Sequence, residues 1–320
     1  MTAPGADPDA QRLARSLVEI AGRDQVLAVL LFGSRLVQAS PDRFSAYDLV
    51  VVVESYRSFY DALERAGFAR RSPAIQSALN RVLAPNVIAF APDGWSGGPV
   101  AKIMVMEPAA MERALSKDSR DHFVKGRLVQ RVAVLHARDH AASAWIDRLI
   151  ARARGDILSW AGSFLDEPFT PAAAALRMLQ VSYGGEVRPE AADRVLDVFE
   201  TQRSFLTEEL TRVLAEAAEA GELTREGEGS RFARPRGGSD RREARSYFLR
   251  SKVRATARWL KHVITFDNWL DYIARKVERR TGKKVEITTW ERRLPYLLLW
   301  PKVVRVLRER PARLDPGARR

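Results

Sequence analysis

The sequence predicts an α/β domain over residues 1–112, a mainly helical domain over 113–230 and a basic helical region over 231–320. Two nearly continuous apolar runs, residues 25–32 and 47–53, are typical of strands that are buried on both faces of a sheet. Farther along the chain the apolar side chains recur at helical spacing instead. Strands that alternate with helices in the first part favour an α/β class, with a helical second domain after it.

The remaining elements follow from shorter patterns. Residues 86–91 and 101–106 are apolar and predict two further strands, and helical patterns lie before them near 57–67 and 75–83. A stretch rich in Gly, Pro and Arg, residues 229–240, is the best candidate for a linker. This linker would separate the helical domain from the basic region.

The composition is that of a folded protein and excludes some kinds of cross-link and metal site. The chain has 320 residues, of which 46% are hydrophobic and 29% charged, so disorder and collagen-like structure are excluded. It has no cysteine, which excludes disulfide bonds and thiolate metal sites. Four histidines are present and form no ligand motif in the sequence: His122, His136, His140 and His262.

The positive charge is concentrated at one end. The whole chain has a formal net charge of +13, whereas residues 231–320 contain 26 basic and 9 acidic side chains, a net +17, which leaves −4 for residues 1–230. Such a region is attracted to an anionic membrane surface or to nucleic acid. No apolar run approaches the 18 residues or so that a membrane span needs, and the N-terminus lacks a secretory signal. We therefore expect a cytoplasmic protein.

The most specific motif is a turn between the first two strands. Gly33-Ser34-Arg35 follows the first strand, and Asp48 lies near the start of the second. A Gly-Ser turn lets backbone N–H groups and a hydroxyl approach phosphates closely. A carboxylate within an apolar strand is costly unless it is paired or binds a metal ion, so Asp48 is a candidate functional residue.

This arrangement resembles the nucleotidyltransferase superfamily typified by DNA polymerase β, in which a Gly-Ser turn holds a triphosphate and an Asp-x-Asp strand holds Mg²⁺. Two carboxylates two residues apart project from one face of a strand. Here the pair is incomplete, because Ala46 and Val50 flank Asp48 at that spacing. Glu54 has the same parity but would lie about 20 Å away along an extended strand. Glu107 and Asp121 are the other candidates for a second carboxylate.

Residues 29–188 further resemble the mitochondrial-type phosphatidate cytidylyltransferases, known from translocator maintenance. Members of that family have a Gly-Ser turn and then a single Asp that is followed by apolar residues and an acidic position. Three more elements follow in the same order in this chain: Lys102 in a strand, Lys125-Gly126-Arg127-Leu128, and Ser182-Tyr183-Gly184-Gly185-Glu186-Val187-Arg188. The order of the elements carries the resemblance, since each one alone is weakly specific.

The resemblance implies a nucleotidyltransferase domain and a Mg²⁺-dependent enzyme that transfers CMP from CTP to phosphatidic acid, peripheral on the inner face of a membrane. It implies Asp48 as catalytic residue and metal ligand, with Glu54 as second ligand. The residues that would contact the nucleotide are Gly33, Ser34, Arg35, Lys102, Lys125, Arg127, Tyr183 and Arg188.

The C-terminal segment 288–320 has two interpretations. If it is helical, Leu297, Trp300 and Val304 align on one face with Lys and Arg beside them. Such a helix would lie in the interface of an anionic bilayer. It would alternatively pack against the protein body, and Pro301 would begin or kink it.

Two other functions remain open. A nucleotidyltransferase could modify a protein, a tRNA or a small molecule, but such enzymes generally keep both aspartates. A catalytically inactive relative could instead bind nucleic acid through residues 231–320. The individual residues also have simpler interpretations, because Lys102 could protect a strand from aggregation and Arg127 could be a solvated surface charge. Phosphatidic acid and an anionic membrane, rather than nucleic acid, are the expected partners.

Overall fold

The computed structural model describes residues 7–38, 45–69, 71–94, 98–184, 192–227, 231–233 and 241–265. These residues form an α/β fold in which helices cover both faces of a mixed five-stranded sheet. The elements in chain order are α1 (Pro8–Ala21), β1 (Val26–Phe32), α2 (Ser34–Val37), β2 (Tyr47–Val53), α3 (Tyr56–Arg65), α4 (Pro73–Val82), β3 (Asn86–Phe90), β4 (Ala101–Met106), α5 (Pro108–Leu115), α6 (Lys125–Leu128), β5 (Ala133–Ala137), α7 (His140–Gly155), α8 (Ile157–Ala161), a 3₁₀ turn (Gly162–Phe164), α9 (Pro171–Gly184), α10 (Ala192–Glu219), β6 (Thr224–Glu226), β7 (Arg231–Ala233) and α11 (Arg241–Thr265).

The sheet has the strand order β3-β4-β2-β1-β5. Strands β2 and β4 are parallel, and the other neighbouring strands are antiparallel. Alternate residues of the central strands enter two different hydrophobic cores, so that Val50 lies in one core and Val51 in the other. Burial on both faces explains why these strands are continuous apolar runs rather than alternating patterns.

The four predicted strands and the helices that were expected before β3 and β4 are all present. The prediction of a mainly helical domain after residue 112 did not include β5, which lies there and pairs with β1. Four of the five residues of β5 are only half-buried, as is usual for a strand at the sheet edge. A short strand with little apolar periodicity gives no clear signal in the sequence.

The two sheet faces carry different layers. One core packs α1 and α3 against the sheet. The larger core joins β1, β2 and β4 to α5, α7, α9 and α10 and to Phe248 of α11. The helical part is thus packed directly on the sheet, and the two share one apolar core.

The compact units have different limits from the expected domains. The first unit comprises residues 1–267 and the second residues 268–320, so the expected boundaries at 112 and 230 both fall within the first unit. The segment 288–320 lies outside the described residues. Within the described part of the chain, no helix has the length and apolar character to cross a membrane.

Candidate functional site

Gly33 and Asp48 meet where β1 ends and β2 begins. Phe32 pairs with Asp48 across the two strands, and Gly33 then turns the chain with a φ of +79°. A Cβ atom on Gly33 would lie 2.7 Å from Oδ2 of Asp48, closer than nonbonded atoms approach. Glycine is therefore required here twice, for the left-handed backbone and for the close approach of the carboxylate.

Lys102 lies beside Asp48 on the neighbouring strand. The two residues are paired in the parallel register of β2 and β4, and Lys102 Nζ lies 3.8 Å from Asp48 Oδ1. Their side chains are 36% and 30% exposed, respectively, so solvent or a ligand reaches both. A carboxylate and an ammonium group are thus presented together at the strand ends, next to the Gly33 turn.

Ser34 and Arg35 follow this turn differently. Ser34 begins the short helix α2 directly after Gly33. The Arg35 guanidinium lies over the Tyr47 ring, 4.7 Å from its centroid, and Arg35 Nε donates a hydrogen bond to the Ser45 carbonyl at 3.0 Å. Since Tyr47 and Asp48 project from opposite faces of β2, Arg35 is directed away from the carboxylate.

Each candidate for a second carboxylate is held by arginine elsewhere. Glu54 follows the far end of β2 and accepts a hydrogen bond from Arg138 at 2.5 Å. Glu107 accepts from the Tyr56 N–H at 2.8 Å and lies 4.0 Å from Arg81. Asp121 binds arginines of α11, as described below. The structure does not bring Glu54 together with Asp48, because a full strand separates them.

Lys125 and Arg127 lie in and around α6 rather than in the Gly33 turn. Lys125 is only 1% exposed and donates to the Ser116 carbonyl at 2.5 Å, and burial lowers the pKa of its ammonium group. Arg127 is half-buried, and its guanidinium carbon lies 4.0 Å from the centroid of the Phe123 ring. The contacts of Lys125 correct the expectation of a nucleotide contact, since its ammonium is enclosed by protein.

The Ser182-Tyr183 element contributes to a buried polar cluster around His122. Ser182 Oγ lies 3.0 Å from His122 Nε2, and Tyr247 Oη lies 3.2 Å from His122 Nδ1. Gly126 permits this packing, because a Cβ there would lie 2.4 Å from Ser182 Oγ. Tyr183 packs beside the larger core, whereas Arg188 lies outside the described residues.

A buried cationic cluster on α11 was missed by the sequence reasoning. Arg254 and Arg258 bind Asp121 Oδ2 at 2.9 and 2.8 Å, and Arg258 is 1% exposed. Lys261 donates to the carbonyls of Leu83 and of Pro85. More than 130 residues of chain separate Asp121 from its partners, so no local pattern could have indicated these contacts.

Comparison with known proteins adds no family. No family model matches the chain, and no curated protein matches it. Among the described residues, no group of three or more His, Asp or Glu side chains could by itself hold a metal ion.

The reactive features of this site are one carboxylate, one ammonium and one glycine turn. The ammonium of Lys102 can bind a phosphate oxygen, and the Gly33 turn allows a phosphate to approach the backbone. Asp48 can contribute an oxygen ligand to a divalent cation. Together these groups suit a phosphate-bearing ligand that arrives with its own metal ion.

Proposed function

We propose that this protein is a CTP:phosphatidate cytidylyltransferase, which transfers CMP from CTP to phosphatidic acid and releases pyrophosphate. The observation that carries the nucleotidyltransferase part is the close approach of Asp48 to Gly33, with Lys102 beside it. The choice of CTP and phosphatidic acid rests on the resemblance of the ordered motifs and on the basic C-terminal region.

The donor set fits a magnesium ion that is bound together with the nucleotide. Mg²⁺ is commonly held by one or two carboxylates, with the remaining ligands supplied by substrate phosphates and water. Asp48 supplies one carboxylate, and Lys102 at 3.8 Å reduces its attraction for a free cation. Bound in this way, Mg²⁺ would neutralise negative charge that develops on the phosphates during transfer.

The chain's own residues would position the triphosphate. Gly33 turns the chain and lets the Asp48 carboxylate lie against the backbone, Ser34 offers a hydroxyl, and Lys102 offers an ammonium group. An oxygen of the phosphatidate phosphate would attack the α-phosphorus of CTP, and the bond to the β-phosphate oxygen would break. Because this nucleophile is already anionic, no side chain must remove a proton from it. This acceptor therefore needs no second carboxylate as a general base.

One observation favours a second candidate function. The ammonium group of Lys102 lies next to Asp48, an arrangement that also suits a domain that binds a nucleotide without turnover. A nucleotidyltransferase with a protein, tRNA or small-molecule acceptor would differ in the acceptor alone. One assay distinguishes both alternatives from the lipid cytidylyltransferase.

The test measures transfer of label from α-labelled CTP to lipid. The purified full chain is incubated with Mg²⁺ and phosphatidate liposomes, and label is counted in the organic phase. Asp48→Asn should lower the rate by about 100-fold or more, as loss of a charge-stabilising group does. The matched control is Asp147→Asn, an exposed carboxylate on α7, which should retain full activity.

The outcomes separate the proposed function from its alternatives. Label in lipid that depends on phosphatidate and on Asp48 supports the proposal. CTP binding without any lipid label would point to another acceptor or to the domain without turnover. An active Asp48→Asn variant would remove Asp48 from the mechanism.

A further inference from the structure

A groove between α5 and α7 has the composition of a second binding site. Its volume is about 560 Å³, and it is lined by Glu112, Arg113 and Ser116 on one side and by Trp145, Arg148 and Arg152 on the other. This volume lies within the range of sites that hold small molecules. The groove shares no residue with the Gly33, Asp48 and Lys102 site.

The positive charge of the groove comes from three arginine side chains. Arg113, Arg148 and Arg152 are exposed, and among the described residues none of the three guanidinium groups forms a hydrogen bond or an ion pair. Some exposed arginines elsewhere in this protein are paired, as in Arg57 with Asp61 at 2.9 Å. Three unpaired guanidinium groups around one cavity attract an anion, and their planar donors match phosphate oxygens in pairs.

The one acidic residue that lines the groove binds a tryptophan rather than an arginine. Glu112 accepts a hydrogen bond from Trp145 Nε1 at 3.0 Å, so the indole is held against the opposite helix. Trp145 is half-buried and packs on the larger core. A fixed aromatic ring next to a cationic group is the arrangement on which a nucleobase stacks.

The spacing on α7 places these groups on one side of the helix. Trp145, Arg148 and Arg152 are three and four residues apart, which aligns them along one face. A ligand lying along this face would therefore meet an aromatic ring first and two guanidinium groups after it. That order matches a base followed by a chain of phosphates.

We propose that the α5–α7 groove binds a nucleotide, with the base stacked on Trp145 and the phosphates held by Arg148, Arg152 and Arg113. This site goes beyond the transfer reaction, because its residues differ from those that would hold CTP for transfer. A nucleotide bound here is a ligand that is not consumed.

The test uses ADP as the probe. Adenosine and inorganic pyrophosphate are the comparison ligands, because each offers only one of the two groups that ADP combines, the base or the phosphates. Tryptophan fluorescence is titrated in the full-length protein and in Trp145→Phe, and the difference isolates the signal of Trp145. We expect ADP to quench this signal, and adenosine and pyrophosphate to bind about tenfold more weakly or worse, because each lacks one set of contacts.

Matched variants assign the binding to the groove. Arg148→Gln combined with Arg152→Gln should weaken ADP binding by about tenfold or more. The control combines Arg15→Gln with Arg245→Gln, two exposed arginines outside the groove, and should bind ADP like the unaltered protein. Thermal melting of each variant checks that the fold is intact.

Several results would overturn the proposal. They are the absence of Trp145-dependent quenching by millimolar ADP, ADP binding that survives the groove substitutions, and pyrophosphate binding as tight as ADP. Phosphatidate vesicles that quench Trp145 where ADP does not would assign the arginines to a membrane surface instead. The groove variants should retain CMP transfer to lipid, so failure of the transfer reaction and failure of this site are separate results.

Discussion

At the scale of single residues, the candidate site depends on one glycine and two side chains. Gly33 has a backbone conformation that other residues adopt only with strain, and it leaves 2.7 Å between a hypothetical Cβ and Asp48 Oδ2. Lys102 is the immediate neighbour of that carboxylate. The site is therefore sensitive to the addition of a single methyl group.

Gly33→Ala should destabilise the protein and also abolish transfer activity, because Asp48 must move away from the new methyl group. Gly22→Ala is the matched control, since Gly22 has a φ of +92° but no atom within 4 Å of a Cβ. Each substitution should lower the free energy of unfolding by about 1–2 kcal/mol through backbone strain. Urea unfolding and the CMP-transfer rate measure the two effects.

The contrast between the two glycine variants is the decisive result. A fully active Gly33→Ala protein would show that the position of Asp48 against the turn is not needed. Loss of activity in Gly22→Ala as well would mean that destabilisation alone lowers the rate.

At the scale of elements, α11 is joined to the sheet domain by buried charge. Asp121 lies in the segment before α6 and binds Arg254 and Arg258, and Arg258 also donates to the Ala84 carbonyl at 3.0 Å. Such a cluster is costly to bury and strongly destabilising to break, because removal of one partner leaves the others uncompensated. The position of α11 on the sheet domain is therefore fixed, because a shifted helix would leave these buried charges unpaired.

Asp121→Asn should lower the free energy of unfolding by about 3 kcal/mol near neutral pH. The matched control is Asp166→Asn, which removes an ion pair of the same 2.8 Å length, with Arg177. Asp166 is 81% exposed and Asp121 only 12%, so the control should cost about 0–1 kcal/mol. Equal effects of the two substitutions would contradict a role for burial.

The difference in the free energy of unfolding between the unaltered protein and Asp121→Asn should depend on pH. Burial tends to raise the pKa of Asp121, but Arg258 and the hydrogen bonds from Arg254 and Arg258 outweigh it and lower the pKa below 3.8. The unfolded chain thus binds a proton at higher pH than the folded protein does. The stabilisation by Asp121 is complete above about pH 4 and is lost as the pH falls through the lower pKa that Asp121 has in the folded protein. Unfolding curves measured between pH 7 and pH 2.5 would reveal this loss.

At the scale of the whole molecule, the charge is divided along the chain. Residues 1–230 have a net charge of −4 and residues 231–320 one of +17. The second compact unit begins at residue 268, within the basic part. We expect the reaction site and the attachment to an anionic surface to be separable in sequence.

Deletion of residues 288–320 should remove binding to phosphatidate-containing liposomes and leave CTP binding unchanged, because the Gly33 turn lies in the first unit. Liposome sedimentation and calorimetric titration of CTP measure the two properties. Liposomes of uncharged lipid serve as the control and should bind neither protein. A deletion that also loses CTP binding would show that this segment supports the fold.

The sequence by itself determined four of the five strands of the sheet and placed Gly33, Asp48 and Lys102 in or beside β1, β2 and β4. Continuous apolar runs mark strands that are buried on both faces, and the turn and the single Asp48 are local features of two adjacent strands. The pattern also indicated that Glu54 is too distant from Asp48, since distance along a strand follows from residue number.

Only the tertiary structure decided which distant residues meet. The edge strand β5, the burial of Lys125, the binding of Asp121 by Arg258 and the groove between α5 and α7 all depend on contacts between segments that are far apart in the chain. Local periodicity predicts which face of a helix or strand is apolar. The element that packs against that face depends on the packing of the whole core. For this reason the proximity of Asp48 to the Gly33 turn was predictable from the sequence, and the clusters between helices were not.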